Sequence, residues 1–231
     1  MKKVDWSRLA IIPWVCALLS AVPLRAQDYP LAPGTRWTYH LHKEVGPLAH
    51  FEGEYARLAK NGVVEMTLVA NVAGTEQISG KTYTRVETLH DDKPANIDWY
   101  ALTPAGLLHP RAVDYIADSQ SEFDPPEVLL SPTLRPGESW TWKDLKGPAS
   151  SKKTASASEP ITVPAGFYRA TPVHTELTIP TVLAPLTIKM TQWFVPGVGF
   201  VKQEVRWEMN GHLLAHNTMT LEKFEQAVTP K

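Results

Sequence analysis

Apolar and polar side chains alternate along most of this chain. Trp37, Tyr39 and Leu41 share one parity while Thr38, His40 and His42 share the other, the period-two signature of a strand with one buried face. Near the end, Val201, Val205, Trp207 and Met209 recur at even spacing, Asn210-Gly211 interrupts them, and Leu213, Ala215, Met219 and Leu221 resume the pattern. Asn-Gly readily takes the two positive φ angles of a type I′ turn, so this stretch predicts a hairpin. Lys60-Asn61-Gly62 predicts another between residues 51–59 and 63–73, and Ser79-Gly80 a third between 75–78 and 81–86. His90-Asp91-Asp92 reads as a polar turn, and residues 111–118 as a short helix. Asp124-Pro125-Pro126 and Ser131-Pro132 make 121–132 a connector, because proline removes ladder donors. Residues 147–160 are nearly free of large apolar groups and predict a mobile loop, with little burial to offset the cost of ordering.

A second pattern lies at longer range. Leu31-Ala32-Pro33-Gly34-Thr35-Arg36-Trp37-Thr38-Tyr39 returns 103 residues later as Leu134-Arg135-Pro136-Gly137-Glu138-Ser139-Trp140-Thr141-Trp142. A further echo links Trp99-Tyr100 and Gly106-Leu107-Leu108 with Trp193-Phe194 and Gly199-Phe200-Val201. Duplication explains both echoes; local convergence on a common turn-then-strand solution is the competing account. The expected fold is all-β, with little helix: a strongly curved antiparallel sheet, or an open or half barrel, built from two related β-meander halves at 27–122 and 123–231. The halves form either one compact domain or two packed repeats.

Composition adds a compartment. Lys2, Lys3 and Arg8 precede an apolar stretch from Leu9 to Val22, and Ala26 ends it with a small residue. This is the layout of a cleaved signal peptide over residues 1–26, with a retained anchor as the alternative. The expected location is therefore periplasmic or extracellular, with no integral membrane span after cleavage. The only cysteine, Cys16, lies inside that stretch, so the remaining residues fold without disulfides, on burial alone. Cleavage would remove four basic residues but only Asp5, taking the formal charge from −1 to −4. Nothing basic is left to favour nucleic acid.

The chemistry-bearing motifs are sparse. His40 and His42 share a strand face, but a zinc site needs three or four ligands, and solvated histidines on a sheet are the simpler account. There is no His-Glu-x-x-His spacing and no Gly-x-Ser-x-Gly elbow. No catalytic, cofactor or metal residue is assigned, and no cofactor is expected. Six tryptophans follow residue 26. Trp37, Trp99, Trp140 and Trp193 are expected as core anchors where the sheet meets what covers it, and alternatively as an aromatic wall for a ligand.

At Pro30-Leu31-x-Pro33-Gly34-x-x-Trp37-Thr38-Tyr39, Gly80-Lys81-Thr82-Tyr83, Val163-Pro164-Ala165-Gly166-Phe167 and Trp193-Phe194-x-Pro196-Gly197-x-Gly199, the chain resembles a group of uncharacterised bacterial exported proteins and lipoproteins. That group is a domain of unknown function, so the resemblance carries no catalytic residue. More remotely, the chain is similar to the half-barrels of Lol-type lipoprotein carriers, an analogy at the level of fold. It departs from lipoprotein relatives in lacking the modified cysteine. The expected function is a non-enzymatic exported envelope protein that holds a lipid or other apolar or amphipathic small molecule on a curved sheet. The alternatives are a secreted hydrolase or metal-dependent enzyme, and a protein-binding module of the envelope.

Overall fold

Positive-φ turns set the architecture. A computed structural model describes residues 28–47 and 49–227; the signal-peptide reading falls outside them. Thirteen strands and one short helix follow in the order β1 (Arg36–Val45), α1 (Gly53–Leu58), β2 (Val63–Ile78), β3 (Lys81–His90), β4 (Lys93–Thr103), β5 (Gly106–Asp114), β6 (Ser119–Leu130), β7 (Ser139–Lys143), β8 (Ser150–Ala155), β9 (Glu159–Val163), β10 (Gly166–Ile179), β11 (Leu186–Val195), β12 (Gly199–Met209) and β13 (His212–Glu225). Ser79-Gly80 and Asn210-Gly211 both lie at positive φ and join β2 to β3 and β12 to β13. These are the hairpins their sequences predict. Asp91-Asp92 turns β3 into β4 with the same signs of φ.

The strands form a single antiparallel sheet in the order β6-β5-β4-β3-β2-β1-β13-β12-β11-β10-β8-β7, with β9 pairing only to β10. The chain thus makes a six-strand meander, β1 to β6, and a second succession of six, β7, β8, β10, β11, β12 and β13. Backbone pairing of β1 with β13 joins the two successions. At the other edge β6 meets β7 across a seam, so the sheet closes almost completely into a barrel.

Side chains close that seam. Trp140 Nε1 donates to the Val128 carbonyl at 2.9 Å, and Trp142 Nε1 to the Pro125 carbonyl at 2.7 Å. Lys153 Nζ donates to Glu127 Oε1 at 2.6 Å, and Ser151 Oγ to the same oxygen at 3.1 Å. One backbone bond, Leu145 N–H to the Asp124 carbonyl at 2.7 Å, supplements them. Pro125 and Pro126 fit here because β6 lies at the edge of the backbone ladder, where proline's missing donor is tolerated.

Several expectations are corrected. The stretch 121–132 is mostly β6, not a connector, for the reason just given. Residues 150–155 of the expected mobile loop form β8, which inserts Ser151, Lys153 and Ala155 into the interior; long-range pairing with β10 orders it despite its composition. Residues 111–114 end β5, and the Asp114 carboxylate accepts the Ile116 and Ala117 N–H groups at 2.9 and 2.8 Å, capping a turn where a helix was expected. Asn61-Gly62 does turn the chain, but its incoming arm is α1 and its ladder a single Lys60–Val63 bridge.

Two layers of packing fill the barrel ends. Tyr29 sits in the larger cluster, its ring 5.6 to 6.2 Å from those of Trp37, Tyr100, Phe194 and Phe200. At the other end of β1, Leu41, Val64 and Met66 pack beneath Phe51, Tyr55 and Leu58. A helix of six residues has little stability of its own, and these contacts hold α1 over the barrel mouth.

Candidate functional site

Between those two plugs lies a cavity of about 420 Å³. Its apolar wall includes Trp37, Tyr39, Leu41, Met66, Leu68, Phe200 and Met219; its polar wall includes Asn96, Asp98, His109, Glu127, Gln192, Gln203 and Asn217. The size falls within the range of small-molecule sites, which combine apolar walls with a few placed polar groups.

The polar wall follows from strand register. Asp98 Oδ1 lies 2.9 Å from His109 Nε2 across β4 and β5. His109 pairs in register with Glu127 on β6, Glu127 bonds Lys153 over the seam, and Lys153 pairs with Thr175 on β10. On β11 and β12, Gln192 Nε2 donates to Gln203 Oε1 at 2.8 Å. Asn217 projects from β13 toward the same cavity. A belt of polar side chains therefore runs from β4 across the seam to β13, except on β7; Asn96, Asp98, His109, Glu127, Gln192, Gln203 and Asn217 of it line the cavity, while Lys153 and Thr175 are buried behind the lining.

The charges in this belt are internally matched. Asp98 also accepts from Asn96 Nδ2. Lys153 is 1% exposed and Glu127 12%, so each serves as the other's counterion in a site nearly shut from water. Burial, followed by the proximity of Asp98, pushes the Tyr29 and Tyr100 hydroxyls well above the usual phenol range. Burial raises Tyr39 likewise, and its hydroxyl donates to the Phe200 carbonyl at 2.9 Å. All three phenols stay protonated at neutral pH. The amides differ: Gln192 Oε1 and Asn217 Oδ1 are buried and have no partner among the described residues.

At the mouth, Tyr55 of α1 and Ile116 line both the cavity and a neighbouring surface groove of about 660 Å³ that also includes Phe51, Tyr115, Leu186 and Trp207. Lys43 Nζ lies 3.7 Å from the centre of the Tyr55 ring and 5.4 Å from that of Trp207. Burial lowers the Lys43 pKa, with Asp114 opposing the shift. These side chains separate lumen from surface.

The four tryptophans singled out from the sequence are not brought together. Trp37 is 2% exposed, lines the cavity, and donates its indole N–H to the Val198 carbonyl at 2.6 Å. Trp140 stands at the seam. Trp99 and Trp193 occupy the opposite, outer face, in matching surroundings. Trp99 Nε1 donates to Glu76 Oε2 at 2.9 Å, and Arg111, its register partner on β5, lies 4.8 Å above its ring. Trp193 Nε1 donates to Glu159 Oε1 at 2.7 Å, and Lys202, its register partner on β12, lies 4.8 Å above its ring.

His40 and His42 both bond the exposed Glu65 carboxylate, at 2.8 and 2.6 Å, and no metal-binding group of three or more His, Cys, Asp or Glu side chains occurs among the described residues. Among the described residues the cavity lining holds no serine or cysteine; the one aliphatic hydroxyl in it is that of Thr88. Sequence reading missed the belt entirely. The available signal was an out-of-place polar residue on a buried parity, as Lys153 is between Ser151 and Ala155, or Gln192 between Met190 and Phe194.

No helix among the described residues is long and apolar enough to cross a membrane. No curated protein matches the chain. Two solved structures are similar to it: a Bacteroides fragilis protein described as exported, with a YmcC-like fold (13% identity, 86% of this chain and 98% of that one, TM-score 0.42), and a protein described as a lipoprotein from Parabacteroides distasonis (13% identity, the same coverages, TM-score 0.43). Residues 150–219, from β8 into β13, match a DUF3108-like family model, and two of the motifs behind the resemblance drawn from sequence lie inside that segment.

Proposed function

We propose that this protein is a non-enzymatic, exported envelope protein that encloses one amphipathic small molecule in its barrel lumen. The observation that carries this reading is the cavity itself: an apolar wall and a polar belt face each other across about 420 Å³, with α1 over the mouth. A protein whose only task was to pack a core would gain nothing from buried amide oxygens without partners, each of which costs about 1–3 kcal/mol. Trp37 serves as part of the apolar wall. Trp140 supports the seam, and Trp99 and Trp193 anchor the outer face.

The reading also takes the chain as two copies of one six-strand unit. Trp37 and Trp140 start the two successions, and Trp99 and Trp193 fall on the fourth strand of each, with a glutamate and a cation beside each indole, Glu76 and Arg111 in one and Glu159 and Lys202 in the other. The strand succession favours a break after Leu130 over one at residue 122. The module reading, through a free sheet edge, is less well supported, because the two edges β6 and β7 face each other across the seam.

The test is to express the protein in a bacterial periplasm with its own leader, then apply native mass spectrometry and solvent extraction. A co-purifying lipid-like molecule at one per chain is expected, along with saturable binding of the dye N-phenyl-1-naphthylamine. Met219→Trp, which fills the cavity, should weaken dye binding at least tenfold. Absence of both an endogenous molecule and dye binding defeats the proposal.

A further inference from the structure

The polar belt sorts into groups whose hydrogen bonds are satisfied and groups whose are not, and the division selects a ligand class. Asp98 is held by His109 and Asn96; Glu127 is held by Lys153 and Ser151. Every ionisable member of the belt thus already has a partner. What remains is uncharged: Thr175 Oγ1, buried and unbonded but not part of the cavity lining, and two amides, Gln192, 8% exposed with its Oε1 unbonded, and Asn217 Oδ1, both lining the cavity on either side of β12. A buried amide needs a partner, and a ligand that supplies one is favoured over an analogue that does not.

We infer that the lumen recognises an uncharged, hydroxyl-bearing head group on an apolar tail, through the amides of Gln192 and Asn217 with Gln203 between them. This rests on the lumen being the binding site proposed above. A hydroxyl both donates and accepts, so it meets either orientation of the Gln192–Gln203 amide pair. An anionic head would enter beside Asp98 and Glu127 and leave its charge without a free cation in the belt. A cationic head would compete with His109 and Lys153 for carboxylates that are already bonded. The apolar tail would lie along Leu41, Met66, Leu68 and Met219, toward Tyr55 at the mouth.

The experiment is a titration of the delipidated full chain, below micelle-forming concentrations, with eight-carbon amphiphiles that differ only in head: octyl glucoside, octanoate and octyltrimethylammonium. Each is read by displacement of N-phenyl-1-naphthylamine. Octyl glucoside should displace the dye at least tenfold more tightly than either ion. Gln192→Met with Asn217→Leu should erase that preference, read as the ratio of the three displacement constants, while an unchanged far-UV circular dichroism spectrum reports that the variant is folded; a preference that persists in this variant overturns the inference. Equal displacement by all three heads in the wild type overturns the head-group inference and leaves the carrier reading standing. No dye binding by the wild type overturns both.

Discussion

Replacing Lys153 tests whether side chains close the barrel. Its ammonium is 1% exposed, lies 2.6 Å from a Glu127 oxygen that is itself nearly buried, and bridges β8 to β6 where no strand ladder exists. Lys153→Met keeps most of the stem's volume but leaves the Glu127 carboxylate buried beside Ser151 alone. Removing one partner of a buried pair costs ~3–5 kcal/mol, whereas replacing both with well-packed apolar groups is neutral or stabilising by ~1–4 kcal/mol. Lys153→Met should therefore lower stability by about 3 kcal/mol in urea unfolding at pH 7, and Lys153→Met with Glu127→Leu should recover most of that loss. Native-state hydrogen exchange adds location: in the single variant, amides of β6 and β7 should exchange through local opening, while those of β1 and β13, joined by a full ladder, should not. A single-variant loss below about 1 kcal/mol, or a double variant no better than the single, would refute the argument that this pair holds the seam.

Two further outcomes follow from the turns. Burial alone would raise the Glu138 carboxyl, but bonds from Ser131, the Arg135 N–H and Thr133 outweigh it and hold the group below its ordinary value of 4.5. A depressed folded pKa contributes stability above the unfolded value that is lost as pH falls through the folded one. Urea midpoints measured between pH 7 and pH 3 should accordingly fall less steeply in Glu138→Gln than in wild type, and parallel curves would count against the turn lock. At Gly106, with φ at +115°, an added Cβ would come 2.0 Å from the Leu130 carbonyl oxygen, whereas at Gly74, also at positive φ, it would meet nothing within 4 Å. Gly106→Ala should cost about 1–3 kcal/mol more than Gly74→Ala, the added penalty of steric displacement, read as a difference in thermal or urea midpoints.

The tryptophans show how far one sequence carries. The Pro-Gly turns ahead of Trp37 and Trp140 were legible because Gly34 and Gly137 need positive φ, and alternation after each glycine gave the strand. The candidate site was not legible. In β4 the apolar parity is Ile97 and Trp99, which by pattern belongs in the core. That parity is buried on the outer face with Tyr83, and the polar parity, Asn96 and Asp98 with Tyr100, faces the lumen. On β11 the parity is ordinary, with Met190 and Phe194 on the inner side, and Gln192 is the polar exception among them while Trp193 lies outside.

Local chemistry within the chain was enough to set its β character, its hairpins at Ser79-Gly80 and Asn210-Gly211, and the spacing of its two indole-bearing echoes, since φ preference and side-chain parity act over a few residues. Tertiary structure alone decided which parity faces inward, that β1 closes on β13, that the β6 and β7 edges meet through indoles and ion pairs, and that polar groups from distant strands share a lumen. Register shifts in β2, β4 and β5 displace the alternation relative to neighbouring strands, and a closed sheet gives each face a different environment. Inside and outside are therefore properties of the whole sheet, which no run of neighbouring residues encodes.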